Sequence, residues 1–414
     1  MMKQIVQAAE KTFGQLAASL IRPCAKKARR VAVLLLCVSL ILLLCSCWSQ
    51  RELNSLAIVT GVALDVGDEP DSLKLTAQVV KPGELGAGSS AQGHSGEKAF
   101  VNISYTDKSI LSAARGITHM QNRRLYFAHN DVLIFSQDLA KQNIGEGLDS
   151  FTRDYEGRMN VNMLIARDTA SEILNEDVEL EKVPAIHISG MMENQKSNSE
   201  TVIMTLRDFA IATLSESTAP VVSMVELYES EGKKYARMQG TAVFKQGKMI
   251  GELNTAETRG LLRITDKAVA GAVTVETEWG QVVLEIQYSK SRLKPVKAAD
   301  GSIHMELVVD VDGVLQSNET YQDMSTPENV EMLKGKMKEF ILSDIDSALA
   351  KARELSADVF SFGDAIHREY PKEWKQIKDS WEEEFPKIQL NTQIKVELRS
   401  TSGLIKPIVP GGAK

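Results

Sequence analysis

Residues 31–54 read VAVLLLCVSLILLLCSCWSQRELN, and this stretch separates a targeting segment from the part of the chain that must fold. Four basic residues between Lys26 and Arg30 precede a run of 14 apolar or small residues, Val31 to Leu44. This is the arrangement of a secretory signal, and the run is shorter than the roughly 20 residues that a spanning helix needs. The folded protein is therefore expected to begin just after it.

The apolar run ends in Leu44-Cys45-Ser46-Cys47, which resembles the lipobox of bacterial lipoproteins. Cys47 is the predicted lipidation site and the first residue of the mature chain, so residues 1–46 form the predicted signal peptide. Acyl chains such as palmitate bury their methylenes in the bilayer, and each buried methylene contributes about 0.8 kcal/mol to membrane binding. More than one acyl chain is needed for stable anchoring. The alternative is an uncleaved signal anchor in which Cys47 is only a small apolar residue. The long leader indicates either an extended signal or a start codon assigned too far upstream.

Cleavage before Cys47 leaves a chain long enough for two or three domains with real cores. The leader carries seven Lys or Arg and one Glu, so its removal changes the formal net charge from −7 to −13. A domain this acidic is a poor candidate for binding nucleic acid or anionic lipid by charge, which leaves the lipid as the predicted membrane attachment. All four cysteines lie at or before Cys47, which excludes disulfides, thiolate zinc sites and a cysteine nucleophile from the mature domain.

The first half of the mature chain alternates between strand and helix patterns. Predicted strands are Leu56–Asp65, Leu73–Val80, Ala99–Thr106, Leu125–Phe135 and Val161–Ala166, and predicted helices are Ser109–Met120 and Asp138–Phe151. The first two strands flank an acidic turn and are expected to form a hairpin. A Gly/Ser-rich loop follows them at residues 81–98. Residues 169–216 read as polar helices with a break at Asn194–Ser199.

The second half reads as antiparallel strands and one long helix. Predicted strands are Val221–Tyr228, Tyr235–Phe244, Lys248–Leu253, Ala270–Glu276, Val282–Ser289, Ile303–Val311 and Ile388–Ser400, and a short helix is predicted over Thr255–Arg263. Thr326 as N-cap and Pro327 at the first position begin a helix with one continuous apolar stripe, expected to run to about Leu355 and to be roughly 42 Å long. An aromatic helical stretch, Phe362–Phe385, follows.

These patterns predict a multidomain α+β protein with mixed and antiparallel sheets packed against helices. The predicted organisation is a signal peptide over 1–46, an N-terminal α+β domain over 47–200 and a C-terminal α+β domain over 201–414. A further border near residue 265, separating a small middle domain from a C-terminal one, is the alternative.

The sequence offers no motif for catalysis, metal binding or a cofactor. The six histidines are scattered, without a pair at helical i, i+4 spacing: His94, His119, His129, His187, His304 and His367. The loop segment Gly93-His94-Ser95-Gly96 lacks the last glycine position of a nucleophile elbow. Neither a phosphate-binding loop nor a dinucleotide fingerprint occurs. A non-enzymatic protein without cofactor or metal is therefore predicted.

Two polar clusters are candidates for a partner or ligand surface. The first surrounds a helix-to-strand junction and contains Arg123, Arg124, Tyr126, His129 and Asn130. The second contains Glu257 and Arg259, in the short segment Glu257-Thr258-Arg259-Gly260. The alternative interpretation is that both clusters satisfy buried backbone groups and fix packing through charge-assisted hydrogen bonds.

Several stretches in a fixed order resemble the Ger(x)C family of spore germination lipoproteins. They are Cys47–Asn54 with Leu56–Gly61, Arg123–Asn130, Gly240–Phe244 with Glu257–Gly260, and Phe362-Gly363 followed by Tyr370–Trp374 and Trp381. The resemblance covers nearly all of the mature chain and implies a mixed α+β fold with more than one domain. The Gly/Ser-rich loop at 82–98 departs from the family pattern.

The resemblance implies a function without chemistry of its own. Family members are C subunits of nutrient germinant receptors, held by lipid on the outer face of the inner spore membrane, where they work with A-type and B-type integral-membrane subunits. The competing hypothesis is a free-standing solute-binding lipoprotein, which typically has repeated parallel β-α-β units in two lobes. The antiparallel character of the second half disfavours it.

Overall fold

The computed structural model describes residues 30–36, 39, 55–85, 98–153 and 157–399. Two compact units divide the chain, Met1–Leu56 and Ala57–Lys414. Residues 30–36 of the first unit are helical. Cys47 lies outside the described residues, as does most of the predicted loop at 81–98. None of the described helices is both long enough and apolar enough to cross a membrane.

The second unit is built on a nine-stranded mixed sheet. Its strands are β1 (Leu56–Val66), β2 (Leu73–Val80), β3 (Phe100–Asp107), β4 (Arg124–Tyr126), β5 (Val132–Ser136), β6 (Asn162–Ala166), β7 (Val221–Ser230), β8 (Lys233–Lys245) and β9 (Lys248–Leu253). The order is β3-β2-β1-β5-β6-β7-β8-β9, with β4 paired to β1. β1, β5, β6 and β7 are parallel at the centre, and antiparallel hairpins flank them. The centre is buried on both faces, which explains why the sequences of β1 and β5 are mostly apolar.

Short helices cover this sheet. They are α1 (Pro82–Leu85), α2 (Ile110–Gly116), α3 (Gln137–Gln142), α4 (Gly145–Arg153), α5 (Ala170–Ile173), α6 (Pro184–Glu193) and α7 (Leu206–Thr213). The hydroxyls of Ser109, Ser136 and Thr205 accept from backbone N–H groups in the first turns of α2, α3 and α7. These caps satisfy N–H groups that the helix itself leaves unbonded.

A second sheet of four strands carries the long helix. Its strands are β10 (Gly271–Thr277), β11 (Gly280–Lys297), β12 (Ile303–Asn318) and β13 (Leu390–Arg399), and its helices are α8 (Thr255–Ile264), α9 (Pro327–Glu354), α10 (Phe362–Glu369), α11 (Pro371–Ile377) and α12 (Trp381–Glu384). β10, β11 and β12 are antiparallel, whereas β13 joins β12 in parallel. The apolar stripe of α9, including Leu333, Met337, Ile341 and Ile345, is buried and packs on β10, β13 and α8. The predicted fold class is confirmed, including the long helix.

The structure corrects the prediction at two local points. The predicted strand Leu125–Phe135 is two strands, because a 3₁₀ turn over Phe127–His129 intervenes and Asn130 N–H closes it on Phe127 O. The predicted helix Asp138–Phe151 breaks between α3 and α4, where Asn143 is extended and its Oδ1 accepts from Gly145 N–H. The nine-stranded sheet continues past residue 200 to β9, and the domain borders themselves remain a prediction.

Candidate functional site

The first polar cluster lies on β4 and the turn that leads into β5. Arg123, Arg124 and His129 are exposed, and Tyr126 is half-buried. The Tyr126 and His129 rings meet edge to face, with centroids 5.9 Å apart. Asn130 is buried, and its Oδ1 meets no hydrogen-bond donor in the described part of the chain. The structure therefore brings these five residues together and leaves their charged members accessible.

Glu257 of the second cluster fixes the start of α8. Its Oε2 accepts from Asn254 N–H at 2.7 Å, while Asn254 Oδ1 accepts from Glu257 N–H at 2.9 Å. This reciprocal capping box satisfies two backbone donors at the helix N-terminus. Glu257 therefore has a structural role that its own segment accounts for.

Arg259 joins α8 to the long helix α9. Its Nε and Nη2 donate to the two carboxylate oxygens of Asp344 at 2.9 and 3.0 Å, and its Nη1 donates to Glu200 at 3.1 Å. The guanidinium also lies 5.0 Å from the ring centroid of Phe340. The Arg259 side chain is 18% exposed and that of Asp344 is 4% exposed, so the bidentate pair is largely shielded from water.

The residues beside Arg259 show how closely the helices approach. Thr258 is buried and shares a 2.9 Å hydrogen bond with Thr241 of β8. A Cβ atom at Gly260 would lie 2.1 Å from the carbonyl oxygen of Asp344. These contacts favour the packing interpretation for Glu257 and Arg259. The two clusters lie on separate elements, the first on β4 and the second on α8, and the charged residues of the first are the more exposed.

A polar cluster that the sequence did not indicate surrounds Asp364 at the start of α10. Its carboxylate accepts from Thr218 Oγ1 at 2.8 Å and from Ser215 Oγ and Ser217 Oγ at 3.1 Å. Nearly 150 residues separate the hydroxyls from the carboxylate, so no local pattern could reveal the cluster. It lies beside a cavity of about 490 Å³, which Ile211 also lines.

The chemistry available at this cluster is limited. Each hydroxyl donates to Asp364, and no hydrogen bond within the described ranges links any of them to a histidine or lysine that could act as a base. Elsewhere in the described residues, no three His, Cys, Asp or Glu side chains converge into a group that could hold a metal ion. The cluster ties the segment before β7 to α10.

Asp358 is a second acid at this junction, and it is fully buried. Its carboxylate accepts from the backbone N–H groups of Phe360, Phe362 and Gly363 at 3.2, 3.0 and 2.8 Å. Burial raises the pKa of Asp358 to about 6, although these three hydrogen bonds act in the opposite direction.

We expect the free energy of unfolding to fall as the pH rises from 4 to 6, because Asp358 loses its proton over this range. The folded protein holds this proton up to a higher pH than the unfolded chain does. The raised pKa therefore stabilises the fold at low pH, and about 3 kcal/mol of this stabilisation is lost as the pH rises to the folded-state pKa of about 6. Asp358→Asn removes this component. Urea unfolding of both proteins from pH 4 to 8 measures the difference, and identical pH profiles would contradict the expectation.

Two family models match successive parts of the chain. The spore germination protein N-terminal domain matches residues 49–227, and the spore germination B3/GerAC-like C-terminal domain matches residues 239–402. Spore germination protein KC of Bacillus subtilis is 25% identical over 403 residues, covering 92% of this chain and 98% of that protein. Spore germination protein YndF of the same organism is 28% identical over 395 residues, covering 89% and 94%.

A solved structure shares the fold. The crystal structure of the GerBC protein superposes with a TM-score of 0.54 at 19% sequence identity, covering 81% of this chain and 96% of that one. The likeness therefore extends over both sheets rather than over one motif. Together, the two consecutive family models and the full-length relatives establish that the chain belongs to the GerAC-like family of spore germination proteins.

Proposed function

We propose that this chain is a lipid-anchored, non-enzymatic subunit of a nutrient germinant receptor that spore germination requires. The observation that carries the proposal is the pair of family matches, the first of which begins two residues after Cys47. The family-matched region thus starts where lipobox cleavage would create the mature N-terminus. Lipid on Cys47 would hold the chain at the outer face of the inner spore membrane.

The proposed task is to scaffold or couple the A-type and B-type integral-membrane subunits. The polar groups described above support a role without catalysis. Arg259 and Asp364 form their hydrogen bonds with other elements of the same chain, and Glu257 bonds the N-cap of its own helix. Nutrient recognition would then reside wholly or partly in the membrane subunits.

The competing function is a free-standing solute-binding lipoprotein. The cavity beside Asp364 favours it, because about 490 Å³ is enough for a small solute. The topology disfavours it, since the run of parallel strands lies at the centre of one sheet, and the second sheet is antiparallel except for the β12–β13 pair. Neighbouring genes for two membrane subunits would support the receptor, and a transport ATPase gene would support the binding protein.

Cys47→Ala is expected to reduce nutrient-triggered release of core solutes at least about tenfold, because the chain loses the acyl groups that hold it at the membrane. The spores should carry this variant as the only copy and be compared with a full deletion. Agents that bypass receptors serve as the control and should still trigger germination. A normal nutrient response in both strains, after redundant receptors are removed, would argue for the solute-binding function.

A further inference from the structure

A basic stretch interrupts this otherwise acidic chain. Residues 108–130 contain Lys108, Arg115, Arg123 and Arg124 but no Asp or Glu. The segment therefore carries a formal charge of +4 within a mature chain of −13. The overall charge of the chain hides this local reversal of sign.

The fold leaves much of this stretch exposed to solvent. Helix α2 packs Ile110 and Ala113 into the core, and Ile117 of the next turn follows them, which leaves the other face of α2 to solvent. On that face and the following turn, two large apolar side chains are exposed, Leu111 at 52% and Met120 at 50%. We call this the basic surface, formed by Lys108, Leu111, Arg115, Met120, Arg123 and Arg124, all of them exposed.

One acid bounds the stretch at each end, Asp107 before it and Asp131 after it. Asp107 accepts from the backbone N–H of Lys108. Asp131 is partly buried and interacts electrostatically with Arg158 and His129. Arg158 is itself exposed. The two cations that act on Asp131 are therefore not among the residues of the basic surface.

The basic surface lies next to the point where the folded unit begins. Arg124 is the first residue of β4, and β4 pairs with β1. A few residues later, Asp131 N–H donates to Thr60 O at 2.9 Å. The segment from β4 to Asp131 therefore runs along the first half of β1. β1 starts at Leu56, nine residues after Cys47. Nine residues span at most about 30 Å. An anchor at Cys47 would thus keep the basic surface within reach of the membrane.

We propose that the basic surface binds anionic lipid headgroups of the membrane that holds the anchor. This inference rests on the proposed function in one respect, namely lipidation at Cys47. The cations pair with headgroup phosphates, while Leu111 and Met120 enter the boundary with the acyl chains. Stable membrane attachment commonly combines a lipid with a basic patch, and here the patch also fixes which face of the first sheet points toward the membrane.

The mature chain suits a direct binding experiment. Residues 47–414 include the whole compact unit Ala57–Lys414, and Cys47 is the sole cysteine they contain. Purified 47–414 carrying Cys47→Ser removes the anchor, so that any vesicle binding reports the protein surface alone. The measurement is flotation with phosphatidylcholine vesicles and with vesicles in which phosphatidylglycerol replaces part of the phosphatidylcholine.

The unmodified surface is expected to bind anionic vesicles and not neutral ones, with affinity falling as salt rises. Each cation near an anionic surface contributes about fivefold, so Arg115→Glu/Arg123→Glu/Arg124→Glu should weaken binding on the order of 100-fold. The matched control, Lys248→Glu/Lys375→Glu/Lys395→Glu, reverses three exposed cations on other elements and should bind as before. If the first variant fails to fold, Arg→Gln at the same positions should weaken binding in the same direction.

Equal binding to neutral and anionic vesicles, or an equal loss in the control variant, would overturn the proposal. A protein occupant is the other possible result. It would be indicated if anionic vesicles are not bound while spores with the Arg115/Arg123/Arg124 variant lose nutrient response at normal protein level. Failure of the proposed function can be distinguished from failure of this inference. It would appear as normal germination of Cys47→Ala spores, independently of the flotation result.

Discussion

Arg259→Ala is expected to lower the free energy of unfolding by about 3–5 kcal/mol. The substitution leaves the Asp344 carboxylate, whose side chain is 4% exposed, without the two guanidinium donors that now face its two oxygens. Removing one partner of a buried ion pair costs this much because the remaining charge is neither solvated nor paired. The bond from Arg259 to Glu200 and the contact with Phe340 are lost as well.

The neighbouring Arg263 cannot take over this role without rearrangement. It is one helical turn further along α8 and 3% exposed, and burial lowers its pKa to about 10. Asp344 attracts it electrostatically, but no hydrogen bond joins the two side chains among the described residues, and the Nε of Arg263 meets no acceptor there. In Arg259→Ala, one buried acid and one buried cation would remain without direct contact.

Urea unfolding of the mature chain measures this loss. Arg259→Lys is the matched control, because it keeps the charge but not the two-pronged hydrogen bond, and it should be intermediate. Arg259→Ala/Asp344→Ala should recover part of the loss, since the stranded carboxylate is removed. A cost below about 1 kcal/mol for Arg259→Ala would show that the pair is solvated.

The outcome bears on how germination phenotypes at this position are interpreted. If Arg259→Ala unfolds the chain, spores carrying it lose the subunit rather than one partner contact. Protein level in the spore membrane fraction separates these cases. Normal abundance with a lost nutrient response would instead favour the partner-surface interpretation of Glu257 and Arg259.

Local signals predicted those elements that depend on local contacts. The long helix α9 begins at Thr326 and Pro327 as the capping pattern indicates, and its stripe is buried. β9 has the predicted bounds, because a Gln246-Gly247 turn with positive φ at both residues fixes its start. Residues 127–129 misled the prediction, since aromatic and small residues there match a strand although a 3₁₀ turn forms.

Long-range arrangement could not be derived from these patterns. Periodicity indicates that β1 and β5 are buried strands, but it does not show that they are neighbours. Nothing in the sequence of β13 indicates that this strand pairs with β12 in parallel. The same limit applies to the polar clusters. The segment around Arg259 was identified, but its function in packing depends on Asp344, 85 residues further along the chain. Asp364 and its hydroxyl partners carried no local signal.

Gly260→Ala is expected to destabilise the fold by about 3 kcal/mol or more. The added Cβ would lie 2.1 Å from the Asp344 carbonyl oxygen, 2.6 Å from its carbonyl carbon and 2.7 Å from Ala348 Cβ. Two of these atoms are backbone of α9 and cannot rotate away, so the two helices must separate. Alanine gains about 1 kcal/mol over glycine in helix propensity, which is too little to offset the clash.

Gly335→Ala in α9 is the matched control for this substitution. Among the described residues, no atom other than the nearby backbone of α9 itself lies within 4 Å of a Cβ at Gly335, so the same change should raise the free energy of unfolding by up to about 1 kcal/mol. Gly260→Ala should thus lower the free energy of unfolding and Gly335→Ala should raise it, and one series of urea unfolding experiments measures both. Equal effects at both sites would mean that α8 and α9 do not cross as closely as described. Arg259 reaches Asp344 across this helix crossing, so separating the helices should already break their ion pair. Adding Arg259→Ala to Gly260→Ala should therefore destabilise the fold much less than Arg259→Ala does alone.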